Sequence, residues 1–346
     1  MNLREYRQVA AGRKSPKYIR SGPTVLALKI EIADRMLREC CLCERRCGVD
    51  RANGQLGFCG AGETSRYFFE QTLWGEEKPL VPSHEVFFSG CNMRCRFCYS
   101  WEQVADPALG EEVIPAEFAK MVDSRRQEGA VNLNLIGGEP TVNLPSILKV
   151  LRLIKNPTPI VWNSNFFMST ETMHLLDGVV DLYLGDFRFG NDKCASEVAD
   201  TNGYFEAAVR NFKTAVESGD VIIRHLLLPG HVECCLRPIA EWTAKNLPDV
   251  PFNLMFQYTP CSHAEDDPLL GRMVTNEEQR EAAKIVRSLG LNTSRWNRPL
   301  PNQPYPKEVG KGEFSTTITI ESDGRVVIKH LHGDLLDLVR ALKIGE

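Results

Sequence analysis

An α/β fold is predicted by this sequence, a parallel sheet or partial (β/α)6 barrel, and three observations predict it. From Val86 onward, short apolar runs alternate with stretches whose apolar residues recur at helical spacing, which is the rhythm of βα units. Each run stops at a polar or glycine-bearing turn, and in such folds reactive groups gather at the carboxyl ends of the strands. A chain of 346 residues is long enough for one large domain of this kind with smaller appendages.

The elements follow in order. Residues 1–22 carry Arg4, Arg7, Arg13, Lys14, Lys17 and Arg20 against the single acid Glu5 and read as a solvated arm. Thr24 is placed to cap a helix whose apolar positions Leu26, Ile30, Ala33 and Leu37 fall at helical spacing. A cysteine-rich stretch then runs to Cys59. Six strands are expected at 85–90, 131–136, 160–162, 179–184, 221–228 and 252–257, with helices near 115–128, 144–155, 170–177, 203–218, 236–246 and 276–289. Beyond the proline-rich Asn302–Pro306, apolar runs at 316–320 and 326–329 flank Asp323-Gly324, a hairpin signal, and a helical pattern follows at 334–342. The expected organisation is an arm, helix and Cys-rich segment over 1–80, the βα domain over 81–295 and an extension over 296–346.

Composition excludes several classes. With 43% hydrophobic and 25% charged residues the chain is neither disordered nor fibrous. A net charge of −4 provides no general field for nucleic acid. The longest apolar stretches, Val221–Ile223 and Leu226–Leu228, are interrupted by Arg224 and His225 and are too short to span a bilayer. No apolar run of signal-peptide type follows Met1–Tyr6, so a cytoplasmic protein is expected. In that compartment the 12 cysteines read as metal ligands and free thiols rather than disulfides.

Cys91, Cys95 and Cys98 follow the first strand as C-x3-C-x2-C. Three thiolates hold three corners of a four-iron cluster and leave one iron open, whereas a structural zinc site needs a fourth ligand that this loop lacks. Cys40, Cys43, Cys47 and Cys59 supply four ligands at C-x2-C-x3-C-x11-C, enough for zinc or for a second four-iron cluster, with Cys41 spare. The other strand ends carry Gly137-Gly138-Glu139-Pro140, Asn163-Ser164-Asn165, Asp186-Phe187-Arg188, Gly230-His231 and Gln257-Tyr258. His225 reads as a satisfied core histidine, and Cys194, Cys234, Cys235 and Cys261 as small buried residues, Cys261 near the barrel mouth.

With these residues the sequence resembles the radical S-adenosylmethionine (SAM) superfamily, and within it proteins similar to pyruvate formate-lyase activating enzyme. The match rests on the Cys91–Cys98 loop, Gly137–Pro140, and Cys40–Cys59 with its Asp50-Arg51 and its Gly-x-x-Gly-x-Cys tail. Val161–Asn165 and Gln257–Pro260 add to it, and it covers residues 36–290. The resemblance implies a partial barrel of the radical SAM type and a 4Fe–4S cluster on Cys91, Cys95 and Cys98. S-adenosylmethionine would chelate the open iron, and a donor such as flavodoxin or ferredoxin would supply electrons. Gly137, Gly138 and Glu139 would meet the methionyl amino group, and Asn163, Asn165, Asp186 and Arg188 the ribose and methionyl carboxylate. Arg224 is a further candidate for that carboxylate, His231 is a strand-end candidate, and Phe97 or Tyr99 would lie against adenine. The reaction implied is hydrogen abstraction from a glycyl radical enzyme. The alternative is abstraction from a small molecule or peptide, with a second 4Fe–4S cluster or zinc at Cys40–Cys59; a non-enzymatic iron–sulfur protein remains the third reading. The sequence departs from the pattern at Tyr99-Ser100, where related activases carry Gln-Asn or His-Asn, and at Pro82–Glu85, which replaces a Gly-rich approach. These departures bear on the substrate rather than the cofactor.

Overall fold

Alternation along the strands decides which face of the sheet packs against helices. The computed structural model describes residues 3–75, 77–293, 318–320 and 326–328. One sheet is formed by β1 (Arg66–Leu73), β2 (Ser83–Phe88), β3 (Glu111–Glu112), β4 (Asn132–Gly137), β5 (Ile160–Ser164), β6 (Leu182–Asp186), β7 (Asp220–Leu226) and β8 (Phe252–Met255). Its 8 strands lie in the order β3-β1-β2-β4-β5-β6-β7-β8. From β2 through β4 to β8 every neighbouring pair is parallel and in chain order, so the predicted strands are present. The antiparallel β1 and β3 extend the edge at β2 and are not anticipated from the sequence, because β1 is only partly buried along its length and lacks a clean apolar run.

Helices α3 (Pro23–Met36), α5 (Pro115–Gln127), α6 (Leu144–Leu151), α7 (Thr170–Leu176), α9 (Tyr204–Ser218), α10 (Arg237–Asn246) and α11 (Asn276–Ser288) stand where helical spacing predicts them. Thr24 does not cap α3, which starts at Pro23 behind Gly22. The other α-helices among the described residues are α1 (Arg4–Ala10), α2 (Lys17–Arg20), α4 (Trp101–Ala105) and α8 (Asp192–Ala199). Leu133, Leu135, Trp162, Tyr183, Val221 and Ile223 face the helices and join the main core. The opposite face forms a separate apolar cluster in which Val161, Leu182, Leu184 and Ile222 meet Leu80 and Leu3 and Tyr6 at the N-terminus.

That cluster corrects the reading of residues 1–22 as a solvated arm. Leu3, Tyr6 and Val9 are buried and recur three apart, so α1 presents one apolar stripe and leaves its charges outside. The Tyr6 amide donates to Asp220 Oδ2 at 2.7 Å, and its hydroxyl accepts from Asn132 Nδ2 at 2.6 Å. The helix thereby plugs the inner face of the strands. Tyr6→Ala is expected to cost about 3–5 kcal/mol, the range for emptying a buried aromatic site, read as a lowered urea midpoint at unchanged slope.

Further along the same strands the inner positions become polar: Asn163 follows Val161, Asp186 follows Leu184, and Arg224 follows Ile222 at two-residue spacing. An apolar floor therefore carries a polar rim at the carboxyl ends of the strands. In the second compact unit, Pro299–Glu346, β9 (Ile318–Ile320) pairs antiparallel with β10 (Val326–Ile328), Val326 opposite Ile320. The expected turn at Asp323-Gly324, the helix at 334–342 and the connector Asn302–Pro306 lie outside the described residues. Among the described residues no helix is long and apolar enough to cross a membrane.

Candidate active site

The Cys91–Cys98 loop leaves β2 and is held from several sides. Arg94 and Arg96 donate their amides to the carbonyls of Ala199 and Val198 at the end of α8, at 3.0 and 2.9 Å. The Arg94 guanidinium also donates to the carbonyls of Cys91 and Phe58, at 2.8 and 2.5 Å. Cys91 is buried, and its Sγ accepts from the Met93 amide at 3.4 Å and from Asn165 Nδ2 at 3.8 Å. Burial pushes the Cys91 thiol well above its ordinary value, with Glu139 adding to the effect, and pushes Cys95 up to about 11 against the pull of Arg188. Such thiols ionise when a cation supplies the missing charge, so the donor set and its N–H contacts fit a thiolate-bound metal centre.

Gly137 and Gly138 are needed for shape. Gly137 has φ +113°, and a Cβ there would lie 2.1 Å from Phe88 N; at Gly138 it would lie 2.2 Å from Gly90 O. The Gly138 amide donates to the Phe88 carbonyl at 2.7 Å, so the turn after β4 is pressed onto the entrance of the cysteine loop. Glu139 is buried, and its carboxylate accepts from the Thr141 amide and hydroxyl, from Ser164 Oγ at 2.7 Å and from the Asn165 amide at 2.9 Å. Burial raises this carboxyl above the usual range in spite of those donors. The side chain thus ties the end of β4 to the end of β5.

Asn165 joins β5 to the cysteine loop, since Nδ2 also donates to Asn92 Oδ1 at 2.7 Å. Asn163 is buried with no hydrogen-bond partner for its Nδ2, and on the inner face of β4 neither side-chain polar atom of Asn134 has one. Orphaned amides of this kind beside a polar rim are what a bound polar ligand would satisfy. Asp186 and Arg188 pair at 2.5 Å. Arg224 places its fork on Glu77, at 2.8 and 2.6 Å, and Asn253 Nδ2 donates to the same carboxylate. Phe97 is buried edge-on against Tyr258, whereas Tyr99 is 77% exposed. His225 donates Nδ1 to the Phe187 carbonyl at 2.7 Å inside the core, and His231 Nδ1 bonds to Pro229 O at 2.7 Å. Cys261 Sγ lies 3.2 Å from Phe97 O, beside the loop.

The second thiol group abuts the first. Cys40, Cys43 and Cys59 are buried and Cys47 is exposed. Burial pushes Cys43 up to about 12, and Arg45 Nε donates to the Asn92 carbonyl in the first loop at 2.9 Å. A Cβ on Gly57 would lie 2.6 Å from Cys47 Sγ, and one on Gly90 would lie 2.9 Å from the Cys59 carbonyl. Arg51, 1% exposed, spans the group: it donates to the carbonyls of Gly62 and Val142 at 2.6 and 2.9 Å and reaches Cys40 Sγ at 3.9 Å. A buried guanidinium with carbonyl partners gains from a nearby negative charge, which a metal–thiolate centre at these cysteines would supply. Arg51→Leu is expected to lower the melting temperature more in metal-loaded than in chelator-treated protein, a difference read by paired thermal scans.

This combination of a three-cysteine loop, a glycine turn pressed against it and a polar rim above a parallel sheet defines a radical SAM protein. The family model described as Radical SAM superfamily matches residues 86–243, and the chain belongs to that superfamily. Membership implies an enzyme that uses a 4Fe–4S cluster and S-adenosylmethionine. Uncharacterized protein MJ0674 of Methanocaldococcus jannaschii is 41% identical over 276 residues, which is 78% of this chain and 80% of that protein. Among solved structures, Streptococcus suis SuiB bound to precursor peptide SuiA is similar with a TM-score of 0.41 and 14% identity, over 59% of this chain and 46% of that one. SuiB bound to S-adenosylmethionine gives a TM-score of 0.41 and 13% identity over 59% and 47%. The chain spans under half the length of these SuiB structures.

Proposed function

We propose that this enzyme reductively cleaves S-adenosylmethionine at Cys91, Cys95 and Cys98 and turns the radical on a peptide or small-molecule substrate. In this reading a second metal centre at Cys40, Cys43, Cys47 and Cys59 serves the same reaction. The observation that carries it is the contact between the two cysteine segments: Arg45 Nε donates to the Asn92 carbonyl at 2.9 Å, the Arg94 guanidinium to that of Phe58, and a Cβ on Gly90 would lie 2.9 Å from the Cys59 carbonyl. A staple confined to the N-terminal segment has no need of that contact; a centre that passes electrons or holds substrate does.

When bound, the cluster supplies one electron to the sulfonium, giving methionine and a 5′-deoxyadenosyl radical. The chain's own residues bind, orient and exclude water. Gly137 and Gly138 let the backbone approach the methionyl end of the cofactor, and Glu139 fixes that turn. The amides of Asn134 and Asn163, with Asp186 and Arg188, offer donors and acceptors around the rim. The floor of Leu184, Ile222 and Tyr6 closes the other end to water. An external one-electron donor of the flavodoxin or ferredoxin class completes the reaction.

Iron counting on anaerobically reconstituted protein tests the reading. About eight irons per chain with deoxyadenosine formation supports two centres. About four irons, together with a stable glycyl radical on a partner enzyme by electron paramagnetic resonance, would assign the chain to the activases instead.

A further inference from the structure

Among the described residues, one set of three sulfurs comes within 4.8 Å of one another, and it belongs to neither thiol group above: Cys194, Cys234 and Cys235. Sequence reasoning takes these as isolated buried residues, since some forty positions separate Cys194 from the other two. Cys194 lies in the first turn of α8, after β6; Cys234 and Cys235 lie in a π-helical turn, Val232–Leu236, that leads into α10 after β7. Adjacent residues on a regular helix diverge, so the wider turn is what lets both sulfurs approach Cys194.

The surroundings are built for this approach. A Cβ on Gly190 would lie 2.5 Å from the Cys235 carbonyl and 2.9 Å from that of Cys234, so only glycine allows the two segments to touch. Asn191 Nδ2 donates to Cys194 Sγ at 3.3 Å and to the Cys234 carbonyl at 2.6 Å, an outer hydrogen bond of the kind that orients thiolate ligands.

We propose that Cys194, Cys234 and Cys235 bind a single zinc ion, three protein thiolates with the fourth position left to water. Spacing separates this from an iron–sulfur cluster. At about 2.3 Å per Zn–S bond, sulfurs on one tetrahedral ion stand about 3.8 Å apart. Cluster thiolates each hold a different iron and stand further apart, so sulfurs within 4.8 Å suit one ion. The site has a structural consequence for the radical centre and does not depend on its chemistry. From Cys194 the helix runs to Val198 and Ala199, whose carbonyls hold the amides of Arg96 and Arg94 in the cysteine loop. Zinc here would anchor the helix that supports that loop.

The test is metal analysis of the anaerobically purified full chain, comparing wild type with Cys234→Ser and with Cys194→Ser/Cys235→Ser. Differences are read, so zinc at Cys40–Cys59 counts equally in each protein. The expected result is the loss of one equivalent of zinc per chain in both variants at unchanged iron content. Cys234 is only half-buried, so its single variant keeps the test valid where the double variant fails to fold. Unchanged zinc in Cys234→Ser would overturn the site. So would two fewer free thiols in denatured, chelator-treated wild type than in Cys194→Ser/Cys235→Ser after allowing for the two replaced cysteines, since that marks a disulfide among the three.

Discussion

Replacing Cys91, Cys95 and Cys98 together by alanine is expected to remove about four irons per chain and to abolish S-adenosylmethionine cleavage, a loss of at least about 10⁶-fold. The size follows from where these residues stand. In the proposed site they are the loop's metal ligands, and Cys261, whose Sγ lies 3.2 Å from Phe97 O beside the loop, offers only a single thiol in their place. The fold should survive, because the loop is also held by Arg94, Arg96 and Asn165. The same variant leaves Cys40, Cys43, Cys47 and Cys59 and the Cys194, Cys234 and Cys235 trio in place. Iron left behind marks a second cluster at Cys40–Cys59, and a zinc equivalent beyond the one proposed for the trio marks a staple there that the buried Arg51 charge would serve equally well.

Gly138→Ala is expected to cost about 3 kcal/mol or more and to lower the melting temperature by about 10 °C, with cluster loading reduced as well. The added Cβ would sit 2.2 Å from Gly90 O and 3.2 Å from Val104 Cγ2, so backbone rather than a flexible side chain has to move. Gly90 immediately precedes Cys91, and any shift is passed to the first ligand. Gly129→Ala is the control. Gly129 also has positive φ, +109°, yet an added Cβ meets nothing within 4 Å, so only the backbone strain of about 1 kcal/mol is expected there.

The six parallel strands were legible because both of their faces are covered, which leaves short apolar runs bounded by turns. The edge strands β1 and β3 were not, since partly exposed strands carry mixed side chains. Helix α1 was hidden by its composition: six cations in 22 residues suggest solvent, while Leu3, Tyr6 and Val9 at three-residue spacing carry the packing. The cysteine loop and the two glycines could be read directly, because ligand number and close backbone approach are written in local spacing. Partners across the fold could not be. Sequence offers Arg224 to a carboxylate but not Glu77 as the one beside it, and it gives no sign that Glu139 is held by Ser164 and Asn165. The trio of Cys194, Cys234 and Cys235 is the clearest case, assembled by two adjacent strand ends and a π-helical turn.

The most direct measurement is product analysis on the anaerobically reconstituted full chain. It is incubated with dithionite and S-adenosylmethionine, with the reduced cluster followed by electron paramagnetic resonance. The predicted result is 5′-deoxyadenosine and methionine in equal amounts, with a cluster signal that shifts when S-adenosylmethionine binds and is lost in Cys91→Ala/Cys95→Ala/Cys98→Ala. A wild-type protein carrying about four or more irons whose signal ignores S-adenosylmethionine and which forms no deoxyadenosine would contradict the account.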